Sequence, residues 1–321
     1  MPIKPIYELW RTPPKHISCV IQPGLLPTGG IYVIGGEPGI GKSWMAQQMA
    51  FEISSGKRAL GLFPTKQSRV VYLELEKRSD IARNRFVDNV WKKKYPESGN
   101  FLGHYDDDIP RMDTTTGRKK MENLVAEFGA EVMVVDSYAV TYMDEVDSTT
   151  NKNTISNYRQ IAKEHNMAFI LIHHLTKRGA DYDRNAKEWH EEPIRLDNLR
   201  GNKIFHYEVD TVVGLTKYGR LERQMTFLKH SFSSAPYQDL EPMVFNYSPA
   251  SAIPMQLKDN KMAGLLELVD MGINNYHELS SYLEISRPTL RRIVDDLCEM
   301  RLIIKDESTG RKESSVHLPE Y

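Results

Sequence analysis

The residues with the clearest capacity for chemistry form a glycine-rich run near the amino terminus. Residues 36–43 fit the pattern G-x-x-x-x-G-K-(S/T) without a mismatch. Glycines let successive backbone N–H groups curl around an anion, because no Cβ stands in the way. In such a run Lys42 reaches the β- and γ-phosphates, and the Ser43 hydroxyl ligates Mg²⁺. The predicted site for ATP and Mg²⁺ comprises Gly36, Glu37, Pro38, Gly39, Ile40, Gly41, Lys42, Ser43 and Trp44.

This loop needs a strand before it and a helix after it, and the flanking sequence is suited to both. The apolar run Gly30–Ile34 predicts a buried strand, and Trp44–Phe51 is a helix-forming stretch without Gly or Pro. The positive end of that helix would point at the same anion. Strand, glycine-rich loop and helix is the order that a phosphate-binding loop requires.

Carboxylates end two later strands. Asp136 ends the apolar strand Glu131–Asp136, where it would hold Mg²⁺ through its water shell. Glu74 and Glu76 lie two apart on a strand and therefore face the same way. Glu76, at the strand end, is the better placed to orient or deprotonate an attacking water. A solvated strand end with a helix-capping role is the alternative for this pair.

Two histidines end the fourth strand, Ala168–His174. Adjacent strand residues point to opposite faces, so His173 and His174 are not expected to chelate one metal together. One of them could hydrogen-bond the γ-phosphate and report its loss. A packed histidine is the alternative for both, more so for His173.

The wider pattern alternates apolar strands with amphipathic helices and predicts an α/β fold. Near-continuous apolar strands are typical of a mostly parallel sheet that is covered on both faces. Residues 93–117 read as a polar loop, and residues 177–200 break the rhythm. The remaining predicted helices are Asp80–Val90, Arg118–Phe128 and Thr154–Asn166, and the remaining strands are Arg69–Glu76, Glu208–Leu215, Arg223–Lys229 and Met243–Tyr247.

The last 60 residues have a different character. Helices are predicted over Lys261–Asp270, Tyr276–Leu283 and from Ser286 to about Arg301, followed by a β-hairpin, which together indicate a winged helix-turn-helix. The predicted division is an irregular, proline-rich arm at 1–28, an ATPase domain at 29–250 and the winged helix at 258–321.

The third of these helices would be the DNA-recognition helix. Its side chains near the start are the candidate DNA contacts Arg287, Thr289, Arg291 and Arg292. However, residues 261–321 hold 8 Lys and Arg against 11 Asp and Glu, a net charge of −3. Docking to a protein therefore stays open as the other use of this module.

Composition narrows the class of protein further. The chain has 321 residues, a net charge of −1 and two cysteines, and it has no apolar run of the roughly 18–20 residues that a membrane span needs. There is no apolar signal core at the amino terminus. A cytoplasmic protein with reduced thiols is expected. With no overall basic charge, any contact with nucleic acid must be local.

The ordered set of motifs resembles the RecA-type ATPase core, and within it the RepA-like replicative helicases of plasmids and phages. The resemblance covers roughly residues 24–248. It rests on VVYLELEKRSDIARNRF at 70–86, ILIHHLTKRG at 170–179 and LRGNKIFHYEVDTVVGL at 199–215. By this resemblance Glu76 is the catalytic glutamate, Asp136 the Walker B aspartate and His174 the phosphate sensor.

The same resemblance implies a ring in which a neighbouring subunit supplies an arginine finger. Lys229 falls where a basic pair would begin, but the residues that follow are His230 and Ser231. Arg220 and Arg223 are the other candidates. The DNA-facing loops would be about 137–153 and 175–199, the second with Lys177 and Arg178 as candidate contacts. Acidic residues are mixed into both loops, so a solvated insertion is an equal alternative.

Taken together, these features predict a Mg²⁺-dependent ATPase that acts on DNA as a replicative helicase or a related DNA-handling motor of a mobile element. Single-stranded DNA would meet the core and duplex DNA the winged helix. A homo-oligomer is expected, with a hexameric ring as the form considered. The alternatives are an ATP-dependent assembly switch without translocation, and a recombinase or recombination mediator.

Overall fold

A nine-stranded mixed sheet forms the centre of the computed structural model, which describes residues 17–76, 99–104, 110–142, 148–174, 194–196, 205–231, 242–249, 254–258, 260–306 and 315–319. A small antiparallel pair, β1 (Cys19–Ile21) and β2 (Leu26–Pro27), precedes the sheet. The strands of the sheet are β3 (Ile31–Gly36), β4 (Val70–Glu74), β5 (Phe101–His104), β6 (Val132–Asp136), β7 (Ala168–His174), β8 (Thr211–Gly219), β9 (Glu222–His230), β10 (Met243–Tyr247) and β11 (Met255–Leu257).

The order across the sheet is β11-β10-β9-β8-β3-β7-β6-β4-β5. The strands from β8 to β5 are parallel, and β9, β10 and β11 continue the sheet as antiparallel strands. The central parallel strands β3, β4 and β6 are buried along their whole length, because helices cover both faces. The predicted α/β fold with a mostly parallel sheet is confirmed.

The helices of the ATPase region are α1 (Lys42–Ser54), α2 (Thr115–Phe128), α3 (Ser148–Glu164) and the short α4 (Phe205–Glu208), and a 3-10 turn spans Tyr138–Thr141. Helices α2 and α3 pack on one face of the sheet, where Leu124 and Tyr158 meet Val33 and Val135. Helix α1 packs on the other face through Met45, Met49 and Ile53. None of the helices within the described ranges has the length and apolar character of a membrane span.

Several predicted boundaries were wrong. Helix α2 begins at Thr115 and not at Arg118, because the Thr114 hydroxyl accepts a hydrogen bond from the Gly117 N–H and caps it. Helix α3 begins at Ser148, six residues earlier than predicted.

Three strand pairings were missed. Strand β5 lies inside the stretch predicted to be a loop, and β1 and β2 lie inside the arm predicted to be irregular. Strand β11 was not predicted at all. These strands have two to four residues, too few to show a period. The predicted helix Asp80–Val90 lies outside the described residues.

The C-terminal region folds as predicted into three helices and a strand pair. The helices are α5 (Asn260–Asp270), α6 (Tyr276–Tyr282) and α7 (Arg287–Glu299), and the antiparallel strands are β12 (Ile304–Lys305) and β13 (Val316–His317). The Ser286 hydroxyl accepts a hydrogen bond from the Thr289 N–H and Pro288 lies in the first turn, as the capping pattern predicted. Leu290, Val294 and Leu297 bury one face of α7.

A buried polar network attaches helix α1 to strand β11. The Gln48 side-chain amide donates to the Met255 carbonyl at 3.0 Å and accepts from the Met255 N–H at 2.9 Å, so it pairs with β11 like another strand. The Glu52 carboxyl accepts from the Gln48 amide and from the Leu60 N–H at 2.7 Å. Burial raises the pKa of Glu52 from its ordinary 4.5 to about 8, against the opposing effect of these two donors.

This raised pKa predicts a pH-dependent stability. Between about pH 4.5 and 8 the folded protein keeps a proton on Glu52 that the unfolded chain releases, so this contribution to stability falls as pH rises. The slope from one such group is at most about 1.4 kcal/mol per pH unit. We expect Glu52→Gln to have a flatter decline in the free energy of unfolding between pH 5 and 8, measured by chemical denaturation. Equal slopes in Glu52→Gln, the wild type and the exposed-site control Glu127→Gln would show that Glu52 is ionised in the fold.

Candidate functional site

Four of the predicted site residues meet at the carboxyl edge of the parallel strands. Lys42 follows β3, Glu76 follows β4, Asp136 ends β6 and His174 ends β7. Register brings these ends level, since Gly36 pairs with His174 across β3 and β7. Ligands of open α/β sheets bind at this edge, outside the carboxyl ends of the strands.

The glycines of the loop are required at two positions by close packing. A Cβ on Gly36 would lie 2.7 Å from the Leu215 carbonyl oxygen. Gly41, the N-cap of α1, has φ of 110°, and a Cβ there would lie 2.8 Å from the Met255 methyl group and 3.0 Å from the Tyr247 ring. Pro38 and Gly39 form the exposed tip of the loop, and Ser43 and Trp44 are half-buried in the first turn of α1.

Lys42 is buried beneath the loop, with 5% of its surface exposed. Its ammonium group donates to the Gly36 carbonyl at 2.9 Å and to the Glu37 carbonyl at 2.8 Å. Burial lowers the pKa of Lys42 to about 8, and the nearby carboxylates of Asp136 and Glu76 act in the opposite direction. The ammonium is therefore held by neutral carbonyls at the place where a phosphate would supply full negative charge.

His174 bridges Lys42 and Glu76. Its Nε2 lies 2.7 Å from Glu76 Oε1, and its Nδ1 lies 3.5 Å from Lys42 Nζ. A carboxylate only accepts hydrogen bonds and an ammonium only donates them, so a neutral imidazole with its proton on Nε2 satisfies both neighbours. The Ser137 hydroxyl donates to the same Glu76 oxygen at 2.5 Å. Two donors thus set the orientation of the Glu76 carboxylate.

Asp136 is buried at the end of β6 with 1% of its surface exposed. The Tyr72 hydroxyl donates to its Oδ2 at 2.7 Å, which fixes the carboxylate. Carboxylate and hydroxyl oxygens are the donors that Mg²⁺ takes, usually with several waters kept. Asp136 and Ser43, beside a loop with no room for a Cβ at Gly36 and Gly41, thus fit a nucleotide bound with a divalent cation.

Glu74 and His173, the other members of the two predicted pairs, have buried side chains. Glu74 is 1% exposed at the end of β4, whereas the Glu76 side chain, beyond the strand, is 31% exposed. His173 is fully buried, with its ring edge-on to Tyr138 at 5.2 Å between centroids. Glu76 and His174 are therefore the members of each pair that line the open edge.

The arginine-finger candidates differ in location. Arg220 is exposed in the turn between β8 and β9, on the same edge of the sheet as the loop. Arg223 is buried and donates to the Ile40 carbonyl of its own loop at 2.7 Å, a contact within its own subunit. Lys229 donates to the Val209 carbonyl of its own chain, at the opposite edge of the sheet. Arg220 is therefore the candidate of the three that is exposed beside the loop.

The candidate DNA contacts fall into two groups. Lys177 and Arg178 lie outside the described residues. Arg287, Arg291 and Arg292 are exposed on α7, as a contact would require, whereas the Thr289 hydroxyl lies 2.8 Å from Ser286 Oγ in the helix cap.

Sequence reasoning missed three residues that support the site, namely Tyr72, Ser137 and Tyr247, and it missed the contact of Arg223 with the loop. Tyr72 and Ser137 hold the two carboxylates, and Arg223 and Tyr247 back the loop. Ser137 directly follows Asp136, and that adjacency was an available signal. Nothing local marks the other three, because their partners lie between 64 and 206 positions away in the chain.

Three features define the class of this protein. They are the phosphate-binding loop between β3 and α1, Asp136 at the end of β6, which lies two strands from β3, and the order of the mixed sheet. This is a P-loop ATPase with a RecA-like fold. The AAA domain family model matches residues 8–180, more than half of the chain. The chain therefore belongs to this AAA domain family.

Known relatives and structures agree with that class. The chain is 25% identical over 221 residues to a protein named DNA repair protein RadA from Halalkalibacterium halodurans, covering 66% of this chain and 37% of the relative. It is 22% identical over 222 residues to DNA repair protein RadA of Streptococcus pneumoniae, covering 68% of this chain and 41% of that protein. The chain thus spans about two fifths of the length of these relatives.

A KaiC-like protein of Pyrococcus horikoshii has a similar solved structure. The TM-score is 0.50 at 16% identity, with 76% of this chain and 99% of that chain covered. This likeness concerns the fold alone.

We expect Glu76→Gln to bind ATP as tightly as the wild type and to lose turnover by about 10²- to 10⁴-fold, because an amide cannot take a proton from water. Binding is measured with a fluorescent nucleotide and turnover by phosphate release. The exposed-site control Glu127→Gln should match the wild type in both. Normal turnover in Glu76→Gln would remove Glu76 from the chemistry.

We expect Lys42→Ala to lose nucleotide binding or hydrolysis, because the ammonium held at the Gly36 and Glu37 carbonyls is the group expected to meet the β- and γ-phosphates. The same two assays measure this, with Lys119→Ala on the exposed face of α2 as the control. Wild-type affinity and turnover in Lys42→Ala would mean that the nucleotide binds elsewhere.

Proposed function

We propose that this protein hydrolyses ATP with Mg²⁺ and uses the reaction to act on DNA. The observation that carries the proposal is the contact chain at the carboxyl edge, in which His174 touches both Lys42 and Glu76, and Ser137 holds Glu76. In this chain the residues that we propose as the phosphate-binding cation, the sensor and the general base lie side by side. The reaction is in-line attack of water on the γ-phosphate.

Each residue has a distinct part in this proposal. Lys42 binds the β- and γ-phosphates, and Glu76 accepts the proton of the attacking water. Ser43 and Asp136 would hold the Mg²⁺, which supplies charge neutralisation at the phosphate oxygens when bound. Ser137 and His174 orient Glu76 so that its carboxylate is already aligned when nucleotide arrives.

His174 is proposed as the sensor of the γ-phosphate. Nucleotide binding requires the Lys42 ammonium to exchange the Gly36 and Glu37 carbonyls for phosphate oxygens. Because His174 Nδ1 lies against that ammonium and His174 Nε2 against Glu76, a shift of Lys42 changes the environment of the base directly. Loss of the γ-phosphate would be felt along the same contacts.

Action on DNA is supported from three sides. The relatives matched over two thirds of this chain are named DNA repair proteins. The motifs resemble those of replicative helicases of mobile elements. The C-terminal helices have the order of a winged helix, and Arg287, Arg291 and Arg292 are exposed on its third helix. We therefore propose a DNA-handling motor, with single strands at the core and duplex at the winged helix.

Two points refine this proposal. The RadA relatives favour a role in recombination or repair over replicative unwinding as the particular task. An assembly in which subunits complete one another's sites needs an exposed cation near the loop edge, and Arg220 meets that condition. We propose a homo-oligomer, a hexameric ring being the form considered, in a cytoplasmic setting where Cys19 and Cys298 stay as free thiols.

The test is steady-state ATP hydrolysis with and without single-stranded DNA, on protein sized by light scattering. Stimulation of several-fold or more, with a ring-sized particle, is the expected outcome. A slow rate indifferent to DNA, on a monomer or dimer, would instead indicate an ATP-dependent assembly switch. Strand-exchange and unwinding assays then separate a recombination factor from a helicase.

A further inference from the structure

The strands β9 to β11 cover the side of the nucleotide loop that faces away from Glu76 and His174. Arg223, on β9, is 7% exposed there. Its Nε donates to the Ile40 carbonyl at 2.7 Å, and its Nη1 donates to the Glu222 carbonyl at 2.8 Å. Its guanidinium carbon lies 4.2 Å from the centroid of the Tyr247 ring, a cation–π distance. This arginine is thus held by its own chain on three sides.

The hydrogen bond to Ile40 constrains one particular peptide group. In a trans peptide the carbonyl and the following N–H point in opposite directions. Holding the Ile40 carbonyl against Arg223 therefore turns the Gly41 N–H away from β9. The N–H groups of this loop are the ones that cradle the phosphates.

The backbone at Gly41 is confined from the same side. A Cβ on Gly41 would lie 3.0 Å from the Tyr247 ring and 2.8 Å from the Met255 methyl group, so these two side chains leave room only for a glycine. Met255 is itself fixed by the paired hydrogen bonds to Gln48 of α1. Tyr247, Met255 and Arg223 therefore pack against this side of the loop, and Arg223 makes the polar contact.

We propose that Arg223 is a positioning residue of the nucleotide site: by holding the Ile40 carbonyl it presets the Gly41 N–H for phosphate binding. The inference deepens the proposed ATPase function and rests on it. It assigns Arg223 a role within its own subunit, in place of a role as a finger for a neighbour.

The test compares Arg223→Met, which keeps the length of the side chain without a donor, with Arg223→Lys, which keeps one. Affinity for ADP and for a non-hydrolysable ATP analogue is measured by titration, and the melting temperature without nucleotide is measured beside it. We expect Arg223→Met to weaken nucleotide binding by about 10- to 100-fold, the loss typical of a hydrogen bond from a charged donor, and Arg223→Lys to recover part of it. The control Lys119→Met, on the exposed face of α2, should bind nucleotide as the wild type does.

The outcomes separate the roles. A lower melting temperature with unchanged affinity would overturn the positioning role and leave a structural one. Unchanged affinity with lost turnover would overturn it in favour of a finger. Failure of the wild type to bind either nucleotide would instead overturn the proposed function, so the two failures are distinguishable.

Discussion

Burial of the Lys42 ammonium is the constraint on which the rest of this site depends. A cation that is 5% exposed loses most of its hydration, and the loss must be offset by nearby oxygens. Two loop carbonyls and the fields of Asp136 and Glu76 provide that compensation. The carboxylates that suit the metal and the attacking water therefore also help to keep the lysine charged in the absence of nucleotide.

The parallel part of the sheet brings the residues that surround Lys42 together at one edge. Strands β3, β7, β6 and β4 lie side by side and run in one direction, so that their last residues come together at one edge. Side chains that are between 61 and 132 positions apart in the chain then fall within hydrogen-bond reach of one another. The rigidity of buried strands matters here, because a general base is effective only if its position is held.

The C-terminal helices and β11 contact helix α1 and the residues that follow it. Arg58 makes two hydrogen bonds to the Asp270 carboxylate, at 3.0 and 2.8 Å, and so connects the end of the α1 region to α5. Gln48 connects the middle of α1 to β11, and the apolar core runs without a break from α1 into Leu265 and Leu290. The C-terminal helices are thus in direct contact with the region of the helix that begins at the nucleotide loop.

The nucleotide loop, the central strands and the roles proposed for Glu76, Asp136 and His174 could be read from the sequence, because each depends on local signals. A glycine pattern specifies a backbone shape, a run of apolar residues specifies a buried strand, and a polar residue at the end of such a run lies at the edge. Short edge strands such as β5 and β11 were not predicted, because three or four residues are too few to show a hydrophobic period. Such strands pair only when a neighbouring strand offers free N–H and carbonyl groups.

Arg223 marks the limit of local reasoning most clearly. From its sequence position it was one of three cations that could reach another subunit. Only the folded hairpin places it under the loop, 183 positions from the Ile40 carbonyl that it holds. The sequence by itself determined which residues could do chemistry, since side-chain type and backbone propensity are local properties. The tertiary structure alone decided which polar groups are buried and with whom, because the cost of burying an unpaired charge is a property of the assembled surroundings.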